Sequence, residues 1–152
     1  MSYTNAQARQ QLLDALAQAT NDIGLAVANL TAAYDQIDDS AAERLETELF
    51  RPLQLAYGQA QRTYADFARE YGLPAHTFDA SDAHAREHNA AAIIEAAAAA
   101  VARADAALGT LQDSMLPVEV GDPALRAGLE RVRQLLGDVT GHFRTFTRTL
   151  GR

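Results

Sequence analysis

Four histidines are the residues of this sequence best suited to metal or acid–base chemistry. They lie at positions His76, His84, His88 and His142. His84 and His88 are one helical turn apart, and two imidazoles at that spacing can share a metal ion. A third ligand must come from elsewhere: Asp66 and Glu70 are the nearest candidates in the predicted topology, and a second chain is the other source. The sequence therefore offers His84 and His88, with Asp66 or Glu70, as a candidate site for a divalent metal.

The same histidines also have a simpler interpretation. On a helical wheel His84 and His88 point away from the apolar stripe of their segment, so we expect them to face solvent or a partner. Two ligands on an exposed face hold a metal weakly, and a solvated histidine-rich face is the favoured interpretation. For His142, which flanks the apolar stripe of its own segment, we expect a half-buried, hydrogen-bonded ring.

An aromatic series is the second pattern with chemical potential. Phe50, Tyr57, Tyr64 and Tyr71 recur every seven residues. They could line a slot for a flat cofactor inside a helical bundle, with Tyr57 and Tyr64 as the candidate binding residues. Core packing explains the same spacing without a ligand and is the favoured interpretation.

Other chemistries lack the residues that they require. The chain has no cysteine, which excludes disulfide scaffolds, zinc fingers and thiol enzymes. It has no glycine-rich phosphate loop, no His-Glu-x-x-His and no Glu-x-x-His pair of the di-iron type. A family motif that would name an enzyme is likewise missing, and no catalytic residue is predicted.

Charge is distributed unevenly along the 152 residues. The 13 basic residues are all arginine and stand against 20 acids, for a net charge of −7, which argues against a nucleic-acid or basic membrane-surface binder. Residues 1–121 carry 7 arginines and 17 acids, whereas residues 122–152 carry 6 arginines and 3 acids. The basic last segment is expected chiefly to neutralise its acidic neighbours, with an acidic partner as the alternative.

Four amphipathic segments must position these residues. Apolar side chains step by three and four over about 5–37, 41–71, 82–114 and 123–150, which predicts four helices in a single all-α domain. Their similar lengths and mostly short links predict an antiparallel up-down-up-down four-helix bundle, with a kink near Pro52 in helix two. Asp122 and Pro123 are strong signals for the start of helix four.

This topology makes two spatial predictions. Aromatic helix two should pack against helix three, which is rich in the chain's 33 alanines. The end of helix two, the start of helix three and the end of helix four should meet, which would bring all four histidines into one half of the bundle.

The sequence therefore favours a cytoplasmic, non-enzymatic bundle without a membrane segment, acting by self-association or by docking a partner protein. The alternative is a protein, possibly enzymatic, that binds a metal or small ligand near the histidines. Self-association is expected through the small outer residues of helix three, which are Ala91, Ala92, Ala98, Ala99, Ala102 and Ala106.

Overall fold

The computed structural model describes residues 4–80 and 89–150, and all regular secondary structure in this part of the chain is helical, with no strand. The predicted all-α fold class is confirmed. The helices are α1 (Asn5–Tyr34), α2 (Asp39–Leu45), α3 (Arg51–Glu70), α4 (Ala90–Asp113), α5 (Leu116–Glu119) and α6 (Pro123–Leu150), and a π-helical turn (Glu46–Phe50) joins α2 to α3.

The helix boundaries follow local capping chemistry. Helix four has the predicted bounds as α6, because the Asp122 carboxylate accepts the amide of Leu125 at 2.8 Å. Helix three differs from the predicted range of 82–114. Asn89 has an extended backbone and its side chain accepts the amide of Ala92 at 2.7 Å, so the described helix begins at Ala90. Residues 81–88 lie outside the described part of the chain.

Helix two corresponds to α2, the π-helical turn and α3. Pro52 lies in the first turn of α3, directly after Glu46–Phe50. Proline has no amide hydrogen and crowds the preceding turn, and a π-helical turn is one way in which a helix accommodates such a disruption. A change of axis at Pro52 stays a prediction.

The core lies among the four long helices α1, α3, α4 and α6. Helix α1 packs against α3 and α4, and α6 packs against the same two helices. The predicted packing of aromatic helix two on alanine-rich helix three is wrong, because α3 and α4 make no substantial contact. Every described residue of the predicted α6 stripe is buried: Leu125, Leu129, Val132, Leu136, Val139, Phe143 and Phe146.

The direction of each helix follows from its contacts with the other segments. Tyr71, directly after α3, bonds to Asp122, directly before α6, so α6 begins where α3 ends. Arg103 of α4 pairs with Asp22 of α1 at 3.6 Å, and α5, which follows α4, contacts α1 through the bond from Arg9 to the Val120 carbonyl.

These contacts place the start of α4 at the opposite end of the molecule from Tyr71. We name the two ends of the molecule after nearby residues. The Tyr71 end is where α3 ends, and the Glu95 end is where α4 begins. Helices α3 and α4 consequently run in the same direction, and the predicted up-down-up-down order is wrong.

The physical reason is the length of the connection between α3 and α4. Residues 71–89 could extend up to roughly 60 Å at ~3.3 Å per residue, which exceeds the roughly 40 Å length of α6 at ~1.5 Å per residue. The chain after Tyr71 turns back along α3. This path is shown by Phe78, which packs edge-on against Tyr64 with ring centroids 4.9 Å apart. A connection of this length does not force consecutive helices to be neighbours.

Candidate functional site

The structure separates the two histidines that it describes. His76 packs against Tyr64 of α3, with ring centroids 5.4 Å apart, whereas Nδ1 of His142 lies 3.0 Å from the carbonyl oxygen of Glu48. Tyr64 and Glu48 are 16 positions apart on nearly continuous helix, roughly 24 Å at ~1.5 Å per residue. The predicted gathering of histidines in one half of the bundle is therefore wrong for this pair.

The side chain of His142 is exposed rather than half-buried. The sequence predicted a hydrogen bond for this ring without naming its partner, and the structure gives the carbonyl oxygen of Glu48 as that partner. The ring links α6 to the π-helical turn and has a structural explanation there.

The proposed metal ligands divide into two groups. His84 and His88 lie outside the described residues, so their role stays a prediction. Asp66 and Glu70 line a cleft of about 150 Å³ between α3 and α6, close to Asp122. Within residues 4–80 and 89–150, no three His, Asp or Glu side chains form a group that could hold a metal ion. Asp66 is paired instead with Arg69.

The side chains of the two tyrosines proposed to bind a cofactor contact other residues of the protein instead. The hydroxyl of Tyr64 accepts the amide N–H of His76 at 3.3 Å, and the loop places Phe78 against its ring. Tyr57 lies on Gly24 of α1, where a Cβ would come within 3.0 Å of the phenol oxygen. These contacts support packing for the aromatic series.

Tyr57 nevertheless has a distinctive electrostatic environment. Burial raises the pKa of its phenol above 10.0, and the negative charge of Asp79 adds to the rise. Both effects favour the neutral phenol. Asp79 belongs to the loop that turns back along α3, so the loop is coupled electrostatically to the α1–α3 interface.

A surface groove between α4 and α6 is the feature best suited to binding. It encloses about 370 Å³ and lies toward the Glu95 end. Its lining residues, which define the α4–α6 groove, are Glu95, Ala98, Thr140, Phe143, Arg144, Thr147 and Arg148. Phe143 is 3% exposed and provides an apolar floor, while the charged side chains of the groove are exposed.

The charges of the α4–α6 groove contrast with those of the neighbouring turns. Further along the same interface Arg133 of α6 bonds to Asp105 of α4 at 2.9 Å and to Gln112. In the described part of the chain, the side chains of Arg144 and Arg148 make no ion pair or hydrogen bond, and that of Glu95 makes none either. The groove thus presents two cations and one anion that are available to a ligand.

Small side chains extend this surface along α4. Ala99, Ala102 and Ala106 are exposed, and Ala98 within the groove is half-buried. Such residues let another helix approach closely, because no long side chain separates the two backbones. This surface overlaps the alanine strip that the sequence proposed for self-association.

A second apolar surface lies at the Tyr71 end. Met115 and Val118 are 49% and 58% exposed, and Val118 lines a cleft of about 200 Å³ together with Gln112, Pro117, Arg126 and Leu129. Arg126 is committed to the Pro117 carbonyl at 3.1 Å. The arginine that lines this cleft is therefore already bonded within the chain.

Sequence reasoning did not identify the α4–α6 groove. Arg144 and Arg148 share one face of a helix because they are four residues apart, which is a readable signal. Whether these arginines lie beside Glu95 depends on how α6 is aligned along α4, and the sequence does not determine that alignment.

Comparison with known proteins identifies no relative of this chain. The chain matches no protein-family model, no curated protein and no solved structure. No helix in the described ranges combines the length and apolar character needed to cross a membrane.

Proposed function

We propose that this chain is a four-helix bundle that acts by docking a helical protein segment in the α4–α6 groove. The observation that carries the proposal is the combination of a buried aromatic floor, Phe143, with Arg144 and Arg148, two arginines that lack an acidic partner in the described structure. An apolar floor contributes affinity, and charges at its edge select orientation and partner.

The shape of the surface favours a protein segment. The groove is open, and exposed Ala99 and Ala102 continue it along α4. An amphipathic helix recognises such a surface by laying its apolar face on the floor. Its flanking residues then reach the arginines, so the complementary segment is acidic.

The proposal can be tested with a synthetic amphipathic helical peptide that carries leucines on one face and glutamates beside them. Fluorescence anisotropy of the labelled peptide should report binding to the wild-type protein, and the affinity should fall as salt is added. Arg144→Glu should weaken binding by about fivefold or more, on the order of 1 kcal/mol, because attraction becomes repulsion.

Arg131→Glu is the matched control. Arg131 is also an exposed arginine of α6, but it lies outside the α4–α6 groove. The two variants have the same net charge, so an effect of overall charge would appear in both. Equal affinities for the two variants would show that the peptide binds elsewhere and would remove the proposal.

A further inference from the structure

The α4–α6 groove carries charges of both signs on opposite walls. Glu95 is supplied by α4, and Arg144 and Arg148 are supplied by α6. We infer that the segment docked in this groove is α4 of a second copy of this chain, arranged about a two-fold axis. The inference deepens the proposed function and depends on it.

Two-fold symmetry explains why the groove contains both signs. In an isologous interface every contact occurs twice, since the same surface is used by both copies. Glu95 of each copy can then face Arg144 or Arg148 of the other. A groove lined by arginines alone would repel its own copy, whereas this one is complementary to itself.

The small residues of α4 allow the helices to come together. Ala98 is half-buried, and Ala99 and Ala102 on the neighbouring turn are exposed. Helices that present alanine at their contact can pack at the short end of the usual interaxial range of about 8–10 Å. An axis near Ala98 would place the groove of each copy over that of the other.

Overall charge favours this face over the others. The chain has a net charge of −7, so two copies repel each other through most approaches. Residues 122–152, which include α6, carry 6 arginines and only 3 acids. A contact that includes the C-terminal part of α6 therefore brings the least negative surface of each copy together.

A charge-swap experiment tests the geometry. Sedimentation velocity over a concentration series should give a dimer for the wild-type protein. Glu95→Arg alone and Arg144→Glu alone should each raise the dimer dissociation constant by at least about tenfold, because each change occurs twice in the interface. The double variant Glu95→Arg/Arg144→Glu should restore dimerisation to within about threefold of wild type, because opposite charges again face each other.

Two controls separate association from folding. Arg131→Glu, outside the groove, changes the net charge equally and should raise the dimer dissociation constant far less than Arg144→Glu. Thermal unfolding followed by circular dichroism should show all variants folded. A destabilised variant would be replaced by Glu95→Gln or Arg144→Gln, for which a smaller weakening of the dimer is expected.

The outcomes distinguish this inference from the proposed function. A wild-type monomer at high concentration that still binds the acidic peptide in an Arg144-dependent way would overturn the second-copy inference and leave the docking proposal intact. A monomer without peptide binding would overturn both. A dimer insensitive to Glu95→Arg and Arg144→Glu would place the interface elsewhere and overturn the inference.

Discussion

The phenol of Tyr71 donates a hydrogen bond to Oδ2 of Asp122 over 3.0 Å and so joins the end of α3 to the start of α6. The other oxygen of Asp122 accepts the amide of Leu125 at 2.8 Å and caps α6. The guanidinium of Arg9 lies 4.1 Å from the centroid of the Tyr71 ring and donates to the Val120 carbonyl. Three segments distant in sequence therefore meet at one tyrosine.

Substitution of Asp122 should expose its two roles separately. Asp122→Ala removes the cap and the acceptor for Tyr71, and it should lower the free energy of unfolding by about 1–3 kcal/mol. Asp122→Asn retains a capping oxygen and should cost less. Asp122→Asn should also lower the pKa of Tyr71, because the hydrogen bond to Asp122 is the largest cause that raises this pKa and burial is the second. Urea unfolding and phenolate absorbance measure the two effects, and equal stability of Asp122→Ala and wild type would contradict the assignment.

The Tyr71–Asp122 contact also marks where sequence reasoning failed. Periodicity predicted which face of α6 is buried, because a stripe that repeats every three and four residues must face one core. Periodicity carries no information about which helix ends are neighbours. That order depends on residues 71–89, where Phe78 packs back onto Tyr64 instead of leading directly into the next helix.

The candidate site was predictable only in parts. Arg144 and Arg148 are four residues apart and therefore share one helix face, and the outer alanines of α4 were predicted to form an association surface. The structure places Glu95 in a groove with the arginines of α6. The level at which α4 meets α6 is a tertiary property, so the groove required the structure.

Close contact between α3 and α6 depends on Gly128. A Cβ at this position would lie 2.3 Å from Oγ1 of Thr63, whose side chain is buried. Gly128→Ala should therefore destabilise the protein by about 1–3 kcal/mol in urea unfolding. Thr63→Ala should rescue much of this loss when combined with Gly128→Ala, since it removes the two closest atoms.

Gly137→Ala provides the control for that experiment. A Cβ at Gly137 meets nothing within 4 Å, and the residue lies in the same helix. Alanine has a higher helix propensity than glycine, so this variant should gain up to about 1 kcal/mol. If both glycine variants changed stability in the same direction, crowding at Thr63 would not be the cause.

Met115 is the non-glycine residue with a left-handed backbone in the described chain, with φ of 69°. It follows the end of α4 and its side chain is largely exposed, so little packing offsets the steric cost. Met115→Gly should stabilise the protein by about 1 kcal/mol, seen as a higher melting temperature. Met115→Ala keeps the Cβ and should not give this gain, and similar melting temperatures for the two variants would exclude relief of backbone strain.

Tyr57 predicts a pH dependence in the alkaline range. Burial and the charge of Asp79 raise the pKa of its phenol in the folded protein above the unfolded value of about 10. Folding thus favours the protonated phenol, so the stability that this group contributes is complete below about pH 10 and is lost as the pH rises through the raised pKa. Asp79→Asn should lower the Tyr57 pKa without abolishing the shift, because burial is the larger cause. The absorbance titration of wild type minus that of Tyr57→Phe isolates this phenol from the other four tyrosines. A difference curve centred at or below the ordinary tyrosine pKa would show that the phenol on Gly24 is not held in its neutral form.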